Sequence, residues 1–314
     1  MMSKYEIELF SIKDKGALME KYAERLLYEE RADIYGCCIK LLTDIKYVKE
    51  RWEENFYPMS AHVRSHGRII VTEESGEKQR VFYDQLSKTA FLINVDRYGW
   101  IKSIALSIAS DILEDSHGIN SVHGACVDID GQGVCLIAPS GTGKTTHTFG
   151  LLRLKGVRVI SDDWFFVRLM ADQSVAFSSE KNSYIQADIA EVWGEYQKLV
   201  DKAKFDSKGK AVVNVRWIVG KGKMLPMTTL KKAILLKRDA EDETIVRKLS
   251  PEEATRYMES VDFCNPHMLV KDERKLELRK QFFKEFFASL EIHIVNTKAP
   301  IPEAHQAIKD IIGM

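Results

Sequence analysis

The sequence predicts an α/β protein preceded by a smaller α+β domain. Three observations carry this expectation. Residues 123–163 run strand, tight turn, strand, glycine-rich loop, helix and strand in close succession, the alternation of an α/β unit. Residues 1–115 mix helical and strand periodicities without that alternation, which reads as α+β. The 314 residues leave room for roughly two domains of ~100–200 residues each.

Composition narrows the function classes. Hydrophobic residues make up 45% and charged residues 29%, which excludes a disordered chain. The 46 Lys and Arg balance 46 Asp and Glu, which argues against a nucleic-acid partner, since such binders usually carry a basic excess. No apolar run reaches the ~18 residues of a membrane span. The longest candidate, Tyr98 to Leu113, is broken by Lys102 and Asp111. The first ten residues mix charges and lack the apolar core of a secretory signal. The five cysteines are odd in number and form no CxxC pair, so they read as free thiols of a reducing cytoplasm.

In chain order, Leu18, Met19, Tyr22, Ala23, Leu26 and Leu27 have helical spacing and predict a helix over 15–31. Cys37 to Leu42 reads as a short strand, and residues 61–96 as strands separated by turns, one at Glu74-Ser75-Gly76-Glu77. Residues 98–114 return to helical periodicity. The polar run Asp115-Ser116-His117-Gly118 marks a boundary, giving an accessory domain over 1–115 and a second domain over 116–314. Asp130-Gly131 between two apolar strands predicts a tight hairpin. The return strand leads into Ala138-Pro139-Ser140-Gly141-Thr142-Gly143-Lys144-Thr145-Thr146, then a helix from Thr145 to about Leu154 and a strand over 157–160.

The strongest chemical signal lies in that loop. The pattern for a phosphate loop is G-x-x-x-x-G-K-[ST], and Ala138 stands where its first glycine belongs. The mechanics survive. Gly141 and Gly143 permit positive φ and close backbone approach. Successive N–H groups, Ser140 to Thr146 among them, then face a phosphate at a helix N-terminus. Lys144 would reach the β- and γ-phosphates and the Thr145 hydroxyl would ligate Mg²⁺. Asp162 and Asp163 follow Lys144 by 18 and 19 positions, at the C-terminal end of a strand expected to neighbour the loop strand. Ligands gather at that end. One carboxylate could hold Mg²⁺ and the other accept a proton from an attacking hydroxyl.

His123-Gly124, Val127-Asp128-Ile129, Gly131, Gly133-Val134, the loop Ser140-Gly141-x-Gly143-Lys144, Gly156 and Asp162-Asp163 together resemble the catalytic domain of HPr kinase/phosphorylase. The wider superfamily includes ATP-dependent phosphoenolpyruvate carboxykinase, and residues 140–146 look most like that enzyme's loop. The resemblance implies a P-loop kinase core. It also implies ATP and Mg²⁺ as cofactors, His123 beside the phosphates, and general-base and metal roles divided between Asp162 and Asp163. It covers about 40 residues closely, continues weakly to about residue 238, and does not reach residues 1–115. The family's Arg-Gly-Leu-Gly-Ile-Ile signature is replaced here by Lys208-Gly209-Lys210-Ala211-Val212-Val213. That signature is linked with recognition of the phosphorylated protein and with phosphorolysis, so the resemblance carries neither to this chain. A carboxykinase would also need an additional substrate domain.

Lys202 to Lys223 holds seven Lys and Arg against Asp206. It reads either as a solvated loop or as one that meets phosphates, with Lys208 and Arg216 as candidates for transition-state charge stabilisation. Glu180-Lys181-Asn182-Ser183-Tyr184 is a candidate lining for the acceptor site. Leu278, Phe282, Phe283, Phe286, Phe287 and Leu290 form a helical stripe that reads as core or as the contact of a homo-oligomer. Glu291 to Asn296 reads as a strand and Pro302 to Ile312 as a last helix. The expected reaction is transfer of the ATP γ-phosphate to a hydroxyl, on a protein Ser/Thr or a small metabolite. Alternatives are a nucleotide-dependent switch or ATPase without acceptor, and a carboxykinase-related enzyme.

Overall fold

The computed structural model describes residues 5–206 and 209–314. The chain is mixed α/β with several sheets and divides into two compact units, Met1–Gly118 with His267–Lys271, and Ile119–Pro266 with Asp272–Met314.

The first unit is built on a seven-stranded mixed sheet in the order Ile7–Leu9, Arg80–Asp84, Thr89–Ile93, Gly67–Thr72, Cys37–Thr43, Tyr28–Ile34, Tyr57–Pro58. The helix expected over 15–31 runs instead over Ile12–Tyr22, started by a capping box between Ser11 and Asp14. Its Leu18, Met19 and Tyr22 pack against Ile70 and Phe91 of the sheet. Tyr28–Ile34 is a strand, paired antiparallel with Cys37–Thr43 through a turn in which Tyr35 and Gly36 both have positive φ. Seven residues of pairing and a buried face outweigh the weak helical preference of Tyr28-Glu29-Glu30-Arg31. The helix Tyr98–His117 covers the expected span and ends at Gly118, whose left-handed φ of 61° lets its N–H bond back to Leu113.

The second unit is organised by the long strand Met227–Lys237. One edge pairs in parallel with Gln132–Ile137; the other pairs first with Ser174–Ser178, antiparallel, and then with Glu291–Asn296, parallel. Gly124–Ile129 and Gln132–Ile137 form the predicted hairpin, with Asp130 and Gly131 at φ 49° and 89°, the two positive values of a type I′ turn. Cys126 and Cys135 face each other in its register as free, fully buried thiols, which burial holds protonated far above the ordinary cysteine range.

This hairpin corrects one expectation. Gly124–Ile129 occupies the edge of the loop strand where Val157–Ser161 was expected, and Val157–Ser161 pairs antiparallel to Gly124–Ile129 instead. Two successive antiparallel pairings leave Val157–Ser161 parallel to Gln132–Ile137. Both strands therefore still end at the same sheet edge.

The C-terminal elements follow the periodicity. Helix Glu273–Ala288 buries Phe282, Phe283, Phe286 and Phe287 in this unit, whereas Leu278 is exposed. The phenylalanines are core, each contributing roughly 1.5–3 kcal/mol by burial. Strand Glu291–Asn296 and helix Ile301–Ile312 complete the unit. Among the described residues no helix is long and apolar enough to cross a membrane.

Gly150 lies inside the helix Lys144–Leu152, where alanine would ordinarily be favoured by about 1 kcal/mol. A Cβ there would stand 2.6 Å from the His305 ring and 2.7 Å from the Trp193 ring. Gly150→Ala is therefore expected to destabilise the protein by about 1–3 kcal/mol in urea unfolding. An unchanged or raised midpoint would show that the two rings can retreat.

Candidate functional site

The glycine-rich loop connects Gln132–Ile137 to the helix Lys144–Leu152. Gly141 and Gly143 have φ of 83° and 99°, values an L side chain adopts only under strain. A Cβ on Gly141 would meet nothing within 4 Å, so conformation and not crowding requires glycine there. Gly143 is the helix N-cap and brings no side chain. The first-turn amides of Lys144, Thr145 and Thr146 thus face the loop mouth as donors for an anion. The loop is braced by the Thr142 hydroxyl, which donates to the Pro139 carbonyl at 2.7 Å, and by the Thr297 hydroxyl, within 2.9 Å of the Thr142 carbonyl and 3.1 Å of that of Lys237.

Lys144 is 7% exposed. Its ammonium donates to the carbonyls of Ala138 (2.7 Å) and Pro139 (3.3 Å). Burial pushes its pKa below the ordinary lysine value, and the Asp163 carboxylate opposes that shift.

The paired aspartates follow directly after Val157–Ser161. Ser161 and Ser179 both donate their hydroxyls to the carbonyl of the fully buried Trp164, and Gly124 N–H donates to the Asp163 carbonyl at 3.0 Å. The turn is thereby pinned on both sides, and the two carboxylates separate. Asp163 lines the cleft, with Oδ1 3.2 Å from His123 Nε2. Asp162 is buried, outside the described lining, yet close enough to act electrostatically on Lys144. His123 Nδ1 meets the carbonyl of Cys264. A carbonyl only accepts, so Nδ1 carries the proton and Nε2 is the nitrogen that faces Asp163 Oδ1.

These groups line one cleft of about 290 Å³ within the second unit. Residues 140–146, His123 and Asp163 form one part of its wall. Lys210 and Arg238 add two cations, and Ile189, Val192 and Ile301 supply an apolar part. Lys210 lies on the small ribbon Ser183–Gln186/Lys210–Val213, its ammonium 5.3 Å from the Tyr184 ring centroid, while Tyr184 donates to Asp206 at 2.9 Å. Of the segment 180–184, Tyr184 reaches the cleft.

Arg216 opens the short helix Arg216–Val219 and is not among the described lining residues; Lys208 lies outside the described residues. Lys223, also in the basic stretch, donates to the carbonyls of Leu152 and Leu154 and so caps the end of the loop helix. Arg238, Thr297 and the Cys264 carbonyl carried no motif in the sequence. The strand pairings of Met227–Lys237 and Glu291–Asn296 bring the first two to the loop.

No family model matches the chain. An HPr kinase/phosphorylase from Lactobacillus acidophilus is 27% identical over 159 residues, which cover 51% of this chain and 43% of that protein. The chain thus spans under half the length of this curated relative. The similarity supports a distant relationship to that family.

Beside the loop, the rings of His147, which also lines the cleft, and His305 stack at 5.7 Å and 7°, and burial pulls both down to about 4. Both stay neutral in the fold while the unfolded chain takes up protons from about pH 6.5 downward. Stability is therefore lost as pH falls from about 6.5 towards 4. In thermal unfolding, His147→Gln/His305→Gln is expected to lose less midpoint temperature than wild type across that window. Equal losses would show that other groups carry the acid sensitivity.

Proposed function

We propose that the chain is a P-loop kinase that moves the γ-phosphate of ATP, with Mg²⁺, onto a hydroxyl of a protein side chain or a small metabolite. The observation that carries this reading is the convergence of an anion-binding loop and a His–Asp pair on one cleft. The left-handed glycines, the first-turn amides and Lys144 lie beside Asp163 and His123. The similarity to an HPr kinase/phosphorylase supports the kinase class.

The donor set suits Mg²⁺. Around the loop it consists of oxygen: the Thr145 hydroxyl and the carboxylates of Asp162 and Asp163. Among the described residues no group of three or more His, Cys, Asp or Glu is arranged for a metal. Mg²⁺ takes one or two protein oxygens and completes its shell with water and substrate phosphates. Thr145, which lines the cleft, would hold it, and Asp162, outside the lining, would act through the ion's water. When bound, the ion neutralises charge on the β- and γ-phosphates.

The chain's own residues then divide the work. Loop amides donate to phosphate oxygens, Lys144 exchanges the Ala138 and Pro139 carbonyls for them, and Lys210 and Arg238 of the cleft lining add charge. Asp163 takes the proton of the acceptor hydroxyl as its oxygen bonds to the γ-phosphorus and the bond to the β–γ bridging oxygen breaks, releasing ADP. His123 faces Asp163 through Nε2, where the departing proton can be shared. This reading assigns no step to Arg216, which is not among the described lining residues.

Labelled ATP incubated with a metabolite panel and a cell extract, with products identified by mass, tests the proposal. Lys144→Ala is expected to abolish transfer, and Asp163→Asn to lower kcat by about 10²–10⁴-fold. Retained transfer in Lys144→Ala would sink the reading, and phosphate release without a labelled acceptor would mark a hydrolase or switch instead. Lys210→Met and Arg238→Met are each expected to raise the KM for ATP about tenfold, the loss of roughly 1.4 kcal/mol of phosphate binding.

A further inference from the structure

His123 is oriented by a backbone carbonyl, and that carbonyl sits in an unusual turn. Asp262, Phe263 and Cys264 have φ of 52°, 53° and 55°, three consecutive non-glycine residues in the left-handed region. L-residues visit that region singly, and not in runs. Such a conformation persists only where the surroundings over-determine it. Two backbone bonds close the turn, Cys264 N–H to Val261 and Asn265 N–H to Asp262, both 3.0 Å. A side chain adds a further constraint. Phe263 is 6% exposed and lies flat on the fully buried Phe283, with centroids 5.7 Å apart and planes 6° apart. Phe283 belongs to helix Glu273–Ala288, which is tied to the strand just before His123 by Arg279, whose guanidinium donates to the Ser121 carbonyl at 2.8 Å.

We propose that Phe263 is a positioning residue for His123: its stack on Phe283 holds the left-handed turn, the turn aims the Cys264 carbonyl at His123 Nδ1, and that hydrogen bond keeps Nε2 turned to Asp163. The chain of contacts is continuous within the second unit. Trp164 packs against the imidazole, with ring centroids 5.6 Å apart and planes tilted by 40°, while the tautomer is set by Cys264. Without the stack the turn relaxes towards ordinary φ and the carbonyl leaves Nδ1. The ring then has no reason to keep its proton on that nitrogen. This inference rests on the reading of His123 and Asp163 as the pair that handles the acceptor's proton.

The test uses the full chain labelled with ¹⁵N-histidine, with His123→Gln to assign the His123 signals. In wild type the ring is expected to show a protonated Nδ1. Phe263→Ala is expected to convert a large share of the population to the Nε2–H tautomer, and to lower kcat roughly 10²-fold with the KM for ATP unchanged. Phe263→Leu keeps an apolar side chain in the core and guards against loss of folding; it is expected to shift the tautomer in the same direction, less far. Phe286→Ala removes a ring of the same core that meets Phe283 edge-on, leaving Phe283 itself under Phe263, and should leave the His123 signals as in wild type. An unaltered His123 tautomer in Phe263→Ala and Phe263→Leu would overturn the inference, as would an equal shift in Phe286→Ala. If no phosphotransfer is found with any acceptor, the kinase reading fails while the tautomer measurement still decides the role of Phe263.

Discussion

An ammonium group buried in protein must find oxygen, and Lys144 imposes that demand on everything around it. Left alone in an apolar interior the charge would cost several kcal/mol. The loop carbonyls of Ala138 and Pro139 meet it directly, and the carboxylates of Asp162 and Asp163 meet it through their field. The demand explains why the loop is tight. Its carbonyls must turn inward to the ammonium while its amides turn outward, and the left-handed glycines at 141 and 143 permit that reversal. It also explains why the paired aspartates stand at the same sheet edge although their strand is not the loop strand's neighbour.

The acid–base side of the cleft is supported by packing instead of charge. Trp164 is wholly buried, and two serine hydroxyls converge on its carbonyl. Phe263, stacked on Phe283, holds the turn that carries Cys264. Aromatic side chains suit this task because they bury large areas with few rotatable bonds. Three left-handed residues together cost about 3–6 kcal/mol at ~1–2 kcal/mol each, comparable to what the burial of one or two phenylalanines returns. A His ring whose Nδ1 is held by a carbonyl in this way keeps one tautomer, which a solvated histidine does not.

Much of this was legible in local sequence. Ser140 to Thr146 are contiguous, and the conformations they need are written in the two glycines. Asp130-Gly131 announced its hairpin because a type I′ turn requires two positive φ values. The phenylalanine stripe announced a buried helix face, although its period could not say whether core or another subunit would cover it. Other readings failed where pairing partners decide. The run 15–31 has helical spacing throughout, yet its last four residues are a strand because Cys37–Thr43 lies ready to pair with them. The basic stretch 202–223 could not say which of its cations would line the cleft: Lys210 does so from a ribbon, together with Arg238 from just past the central strand.

By itself the sequence determined the loop, its lysine, its hydroxyl-bearing helix and the adjacent carboxylates, because each depends on neighbours within a few residues. Only the tertiary structure decided which aspartate faces the cleft, which cations join the loop in lining it and which carbonyl sets the tautomer of His123. Those choices depend on strand order and on turns closed by residues more than a hundred positions away. The hydrophobic burial that drives such pairings depends on the area removed from water and not on sequence distance, so local pattern cannot record them.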